Sequence, residues 1–162
     1  MNRIYILIVS LTAILSAEIS TDIALTFGYN RFDDPEILKK SKNFYGAKMG
    51  VYKDGIYGLQ IGYEQADDVN CQELDFKRTY LNGVLILKQP YQFRTYAMAT
   101  VGYEESNIEY FKPNQTFVGA GLGVKKILYK DFNVFVETRV LKKIKSHDKD
   151  IITGIGVGYS FK

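Results

Sequence analysis

From Ile152 to Phe161 the chain reads ITGIGVGYSF, and its two parities are unlike each other. Thr153, Ile155, Val157, Tyr159 and Phe161 make one set; Ile152, Gly154, Gly156, Gly158 and Ser160 make the other. A β-strand sends alternate side chains to opposite faces. One face of this segment is therefore apolar with an aromatic end, and the opposite face is almost bare backbone. Few architectures ask for such a strand, so this alternation constrains the fold more than any other feature.

The same pattern recurs along the chain. Alternating runs predict strands near 21–30, 43–53, 56–65, 74–88, 91–104, 116–128, 132–143 and 150–161. Ile23, Leu25, Phe27 and Tyr29 alternate with Asp22, Ala24, Thr26 and Gly28. Val118, Ala120, Leu122 and Val124 alternate with Gly119, Gly121, Gly123 and Lys125. Strands four and five follow more loosely, with Val84 to Leu87 apolar on both faces. The composition agrees: 13 Tyr, 10 Phe and 14 Gly favour extended chain with close packing or bends at intervals.

Connections alternate in length. Lys53–Gly55, Gln89–Pro90 and Tyr129–Asp131 are short, and Gly55 suits the left-handed position of a three-residue hairpin loop. Four longer polar stretches separate them: RFDDPEILKKSK, QADDVNCQE, ESNIEYFKPNQ and the lysine-rich segment around KSHDK. Short turns thus gather at one end of the sheet and long loops at the other. With an even number of strands, both termini lie on the short-turn side.

The faces decide the surroundings. A soluble eight-stranded barrel points its large apolar residues inward. Here the polar face is the glycine-rich one, and glycine suits a narrow interior. The large apolar face belongs outside, against lipid. Each run supplies the roughly 9–11 tilted residues a membrane strand needs. Tyr29, Tyr45, Tyr63, Tyr103, Tyr159 and Phe161 fall where aromatic girdles meet the two interfaces. The expected fold is all-β: a transmembrane eight-stranded antiparallel up-and-down barrel spanning residues 18–162.

Residues 1–17 read as a cleaved signal peptide: Arg3, an apolar run from Ile4 to Leu15, then small residues ending at Ala17. Its removal takes away Arg3 alone among the charges and leaves a net charge of +2. So small an excess, with no basic stripe, gives no support for a nucleic-acid partner. The single cysteine, Cys71, has no internal partner for a disulfide. No spacing of His, Cys and carboxylates suggests a metal, and no cofactor is expected.

The barrel topology and the terminal GVGYSF resemble the small outer-membrane barrels: the outer membrane protein A transmembrane domain, the outer membrane protein X type and the opacity-like adhesins. The likeness covers about residues 21–162. It implies a place in the outer membrane, contact with its lipid and lipopolysaccharide, and use of the barrel-assembly machinery. Thr153, Ile155, Val157, Tyr159 and Phe161 would carry the assembly signal. In that group the aromatic is terminal, whereas here Lys162 follows Phe161.

Parity turns Asp22, Lys48, Glu64, Arg78, Arg94, Glu104, Lys125, Glu137 and Arg139 inward. An eight-stranded barrel is only wide enough for side chains to fill, and a charge buried alone costs several kcal/mol. An ion-paired plug built on Lys48, Glu64, Arg78, Glu137 and Arg139 is expected rather than an open channel. In the last long loop, Lys142, Lys143, Lys145 and Lys149 suit lipopolysaccharide phosphates. A solvated charge cluster is the reading such a lysine run favours over phosphate contact.

Outer-membrane lipid A deacylases resemble this fold and use a His, a Ser two residues on and an acid. Ser146, His147 and Asp148 are sequence neighbours, which a strand turns to opposite faces, so they form no triad. The expected role is therefore not enzymatic. It is structural or adhesin-like, through the extracellular loops toward a host or surface ligand the sequence does not name. A narrow porin is the alternative, and a lipid A-modifying enzyme a more distant one.

Overall fold

The computed structural model describes residues 19–33, 41–66, 76–87, 92–106, 114–129, 131–146 and 148–161. The expected signal peptide, Cys71, His147 and Lys162 lie outside them. Eight strands follow one another: β1 (Ile19–Asp33), β2 (Ser41–Lys53), β3 (Tyr57–Ala66), β4 (Phe76–Ile86), β5 (Phe93–Ser106), β6 (Gln115–Ile127), β7 (Phe132–Lys143) and β8 (Lys149–Phe161). Each pairs antiparallel with the next, and β8 returns to β1, from Thr21↔Phe161 to Asp33↔Lys149. Closure leaves no edge strand with unpaired amides, the condition for a sheet in hydrocarbon.

Between the pair Lys53↔Tyr57 lie three residues, and Gly55 has φ +62° as expected. Asp54 also takes a positive φ, 53°, a region its short polar side chain tolerates. The amide of Ile56 donates to the carbonyl of Lys53 at 3.1 Å and locks the turn.

Burial follows parity. Outward-facing Leu25, Leu59, Ile61, Leu122 and Ile155 stay more than half exposed, whereas Asn30, Glu64, Arg78 and Asn82 are fully buried. This is the inverse of a soluble barrel, and only an apolar solvent makes it favourable. Outward aromatics cluster at the strand ends: Tyr29, Tyr45, Tyr63 and Tyr103 toward the long loops, and Tyr57, Phe93, Phe132 and Phe161 toward the short turns. At the latter end Tyr159 meets Phe132 edge-on at 5.0 Å and Phe161 at 4.8 Å.

Strand β4 alternates as cleanly as the others: Phe76, Arg78, Tyr80, Asn82 and Val84 are buried. It reads loosely in the sequence because its inward residues are large and partly aromatic. A lumen this narrow holds them by pairing rings with glycines. Phe44, Tyr52, Tyr80, Tyr96, Phe117 and Phe135 each lie directly across a ladder from a glycine: Gly28, Gly58, Gly62, Gly123, Gly102 and Gly156. In each case a Cβ on the glycine would overlap the ring. The glycines are thus sockets for aromatic rings.

Candidate functional site: the barrel interior

Four charge clusters stack along the lumen from the short turns to the long loops. Lowest, Lys125 on β6 pairs with Asp22 on β1. Above it, Lys48 on β2 donates to Glu137 on β7 at 2.5 Å. The hydroxyl of Tyr96 donates to the same carboxylate oxygen at 3.0 Å, and the Lys48 ammonium sits 4.0 Å over the Phe135 ring. Higher, Arg139 bonds to Glu64, and its guanidinium covers Tyr80 at 4.5 Å. At the loop end Arg78 donates through Nε to Glu104 and through Nη2 to Asp150, the latter at 2.5 Å. Lys143 closes this cluster, 2.9 Å from Glu104 and 3.6 Å from Asp150.

Among the described residues, five cations (Lys48, Arg78, Lys125, Arg139, Lys143) meet five anions (Asp22, Glu64, Glu104, Glu137, Asp150) across the lumen. Each charge is compensated where it is buried, the arrangement that makes several ions tolerable in so narrow a space. Between the charges on β2–β5 runs a row of neutral polar groups, one from each strand. Gln60 donates to Tyr52 Oη at 2.5 Å, Asn82 to Gln60 at 3.1 Å, and Thr100 to Asn82 at 2.8 Å. Amide and hydroxyl relay around that side without needing a counter-charge.

Apolar layers alternate with the charges. Phe44, Phe76, Tyr80, Phe117, Leu141 and Ile152 pack near the loop end, and Tyr52, Val84, Tyr96 and Met98 near the turns. A cavity of only about 10 Å³ touches Lys48, Tyr96 and Phe135, smaller than a comfortable water site. Toward the short turns the lumen widens into a vestibule of about 360 Å³, bordered by Asp22, Tyr52, Arg94 and Lys125.

Of the residues singled out for the interior, Lys48 meets Glu137 and Glu64 meets Arg139, while Arg78 binds Glu104 and Asp150. Asp150 escaped the sequence reading because it stands one residue from a long loop. Parity would have found it, since it shares the face of Ile152 and Gly154. Lys143, read as part of the loop cluster, is the last residue of β7 and continues the inward parity of Glu137 and Arg139. Its side chain is only 12% exposed and belongs to the interior. Lys142, Lys145 and Lys149 remain exposed at the loop end. Ser146 donates its hydroxyl to Gln115 at 3.0 Å.

Thr153, Ile155 and Val157 face outward on β8, in line with Phe161 at the short-turn end. No family model and no curated protein matches the chain. Solved structures do. The N-terminal β-barrel domain of Pseudomonas aeruginosa OprF superposes with a TM-score of 0.70 at 20% identity, covering 90% of this chain and all of that one. Ail of Yersinia pestis, solved with the heparin analogue sucrose octasulfate, gives 0.59 at 15% identity over 89% of this chain and 99% of Ail. Neisserial surface protein A gives 0.60 at 11% identity over 90% and 99%. The architecture is that of the small eight-stranded outer-membrane barrels. At these identities the likeness establishes the fold, and what the barrel does has to be argued from its own residues.

Proposed function

We propose that the chain is an exported outer-membrane protein whose barrel is a closed, non-conducting anchor, with a structural or surface-interaction role carried by the long loops. The observation that carries this reading is the balanced set of buried ion pairs spanning the lumen between two apolar layers. A channel for small solutes needs a continuous wet path. Here every charged pair at mid-height is desolvated and aromatic rings fill the gaps. The role is non-enzymatic, and residues 1–17 act as the export signal.

Surface contact falls to the loop end, where Lys142 and Lys149 stand directly opposite each other on β7 and β8. Two like charges in one cross-strand pair repel, and an anionic group between them relieves that repulsion. Lipopolysaccharide phosphates fit this position, with Lys145 beside them. Ail, solved with a polysulfated ligand, offers a parallel for anion contact on this fold.

Planar-bilayer recording on refolded protein tests the anchor reading. Wild type should show no steady conductance. Glu137→Gln, which deprives Lys48 of its carboxylate, should conduct more often and unfold more easily, since breaking a buried pair costs ~3–5 kcal/mol. Steady conductance in wild type, unchanged in the variant, would replace the anchor with a narrow porin.

A further inference from the structure

On the outer wall, between two neighbouring rows of side chains, runs an apolar groove of about 420 Å³. Phe93, Lys126 and Val134 are successive register partners across β5, β6 and β7 and form one side. Val124, Val136, Ile155 and Phe27 are successive partners from β6 to β1 and form the other. Val134, Val136 and Val157 border its middle, and Phe135 and Gly156, whose parity faces the lumen, lie at its floor between the two rows.

The course of the groove follows from strand tilt. Phe93 opens β5 and Lys126 is next to last in β6, so this end lies beside the short turns. Phe27 is the ninth residue of the 15-residue β1, near mid-height. Because tilted strands carry a register row along the barrel axis, the groove starts at the membrane surface and climbs toward the bilayer centre.

At its lower end stands a cation. The Lys126 ammonium lies 5.2 Å from the centroid of the Phe93 ring. Among the described residues it has no carboxylate within ion-pair distance, unlike its neighbour Lys125, which turns inward to Asp22. An outward lysine at the edge of the apolar band sits at the depth of lipid phosphates and attracts them.

We propose that the groove seats one acyl chain of a glycerophospholipid from the short-turn leaflet, with the lipid phosphate on Lys126. A cation at the surface end and a dry trough leading inward match the polarity of such a lipid along its length. The inference rests on the membrane placement proposed above and is independent of whether the lumen conducts.

Native mass spectrometry of the full-length refolded barrel, titrated with phosphatidylglycerol or phosphatidylcholine, tests it. One lipid should persist on wild type beyond a random adduct distribution, with about a fivefold preference for phosphatidylglycerol, as one lysine near an anionic surface supplies. Lys126→Gln should remove that preference while leaving chain binding. Val136→Phe, which fills the trough without touching the lumen, should release both lipids. Folding of each variant is checked by heat-modifiable gel mobility, and flotation with liposomes reports membrane insertion separately. A wild type that floats but carries only randomly distributed lipids, unchanged in both variants, overturns the site and leaves the membrane placement standing. A dimer that Val136→Phe dissociates would overturn it too, giving the groove to a second copy.

Discussion

Glu64 and Arg78 are direct register partners on β3 and β4, yet Glu64 bonds to Arg139 across the lumen. Arg78 turns instead to Glu104 and Asp150. Arg78 keeps its other ladder neighbour, Glu104 on β5, and barrel closure supplies Arg139 to Glu64 and Asp150 to Arg78. Glu64→Leu and Arg139→Met should each cost ~3–5 kcal/mol, because each strands a buried charge. The double variant should recover much of that loss, with a coupling larger than for Glu64→Leu with Arg78→Met. Urea unfolding in detergent micelles measures both cycles. Equal couplings would mean that the ladder neighbour Arg78 is as much a partner of Glu64 as Arg139 is.

The ring-and-socket packing makes two glycines of neighbouring strands behave oppositely. A Cβ on Gly62 would collide with the Tyr80 ring, whereas Gly83 has nothing within 4 Å. Gly62→Ala should destabilise by ~1–3 kcal/mol through overpacking. Gly83→Ala should be neutral or slightly stabilising, up to ~1 kcal/mol, by restricting the unfolded chain. The same unfolding assay decides; a comparable loss at both sites would point to backbone effects instead of ring packing.

Leu122 is 63% exposed on the outer wall, while its neighbour Gly121 faces Arg139. Leu122→Arg should cost ~2–4 kcal/mol near the bilayer midplane. Gly121→Arg should fail through crowding in the lumen. Cysteines placed singly at the two positions in a Cys71→Ser background separate the faces directly. A lipid-confined quencher should reach a label at 122 and miss one at 121, and the reverse pattern would turn the barrel inside out.

Tyr159 bridges Phe132 and Phe161 at the short-turn end, which ties the closing strand to β7 through an aromatic cluster. Phe161→Ala should lower the yield of folded, inserted barrel in cells far more than deletion of Lys162. Heat-modifiable mobility of membrane fractions provides the comparison. Matching yields for the two variants would remove Phe161 from the assembly signal.

Strand number, the hairpin at Gly55 and the assignment of inner and outer faces were legible in the sequence because each depends on a period of two or on one backbone angle. Ile155 and Gly156 declare their faces without reference to any other strand. Even where the reading was loose, on β4, the parity of Arg78, Tyr80 and Asn82 was intact; only hydrophobicity obscured it, since a glycine-socketed lumen accepts aromatics. What chain order leaves open is which inward residues come to the same height. That depends on the stagger with which β8 closes on β1, a property of all eight strands together. Closure carries Arg139 to Glu64, Lys48 to Glu137, and Asp150 with Lys143 to the Arg78 cluster. The ladders of β6, β7 and β8, by contrast, line up Lys126 with the valine trough without closure. Alternation is local and survives in one dimension, whereas pairing across a lumen exists only once the ring is closed.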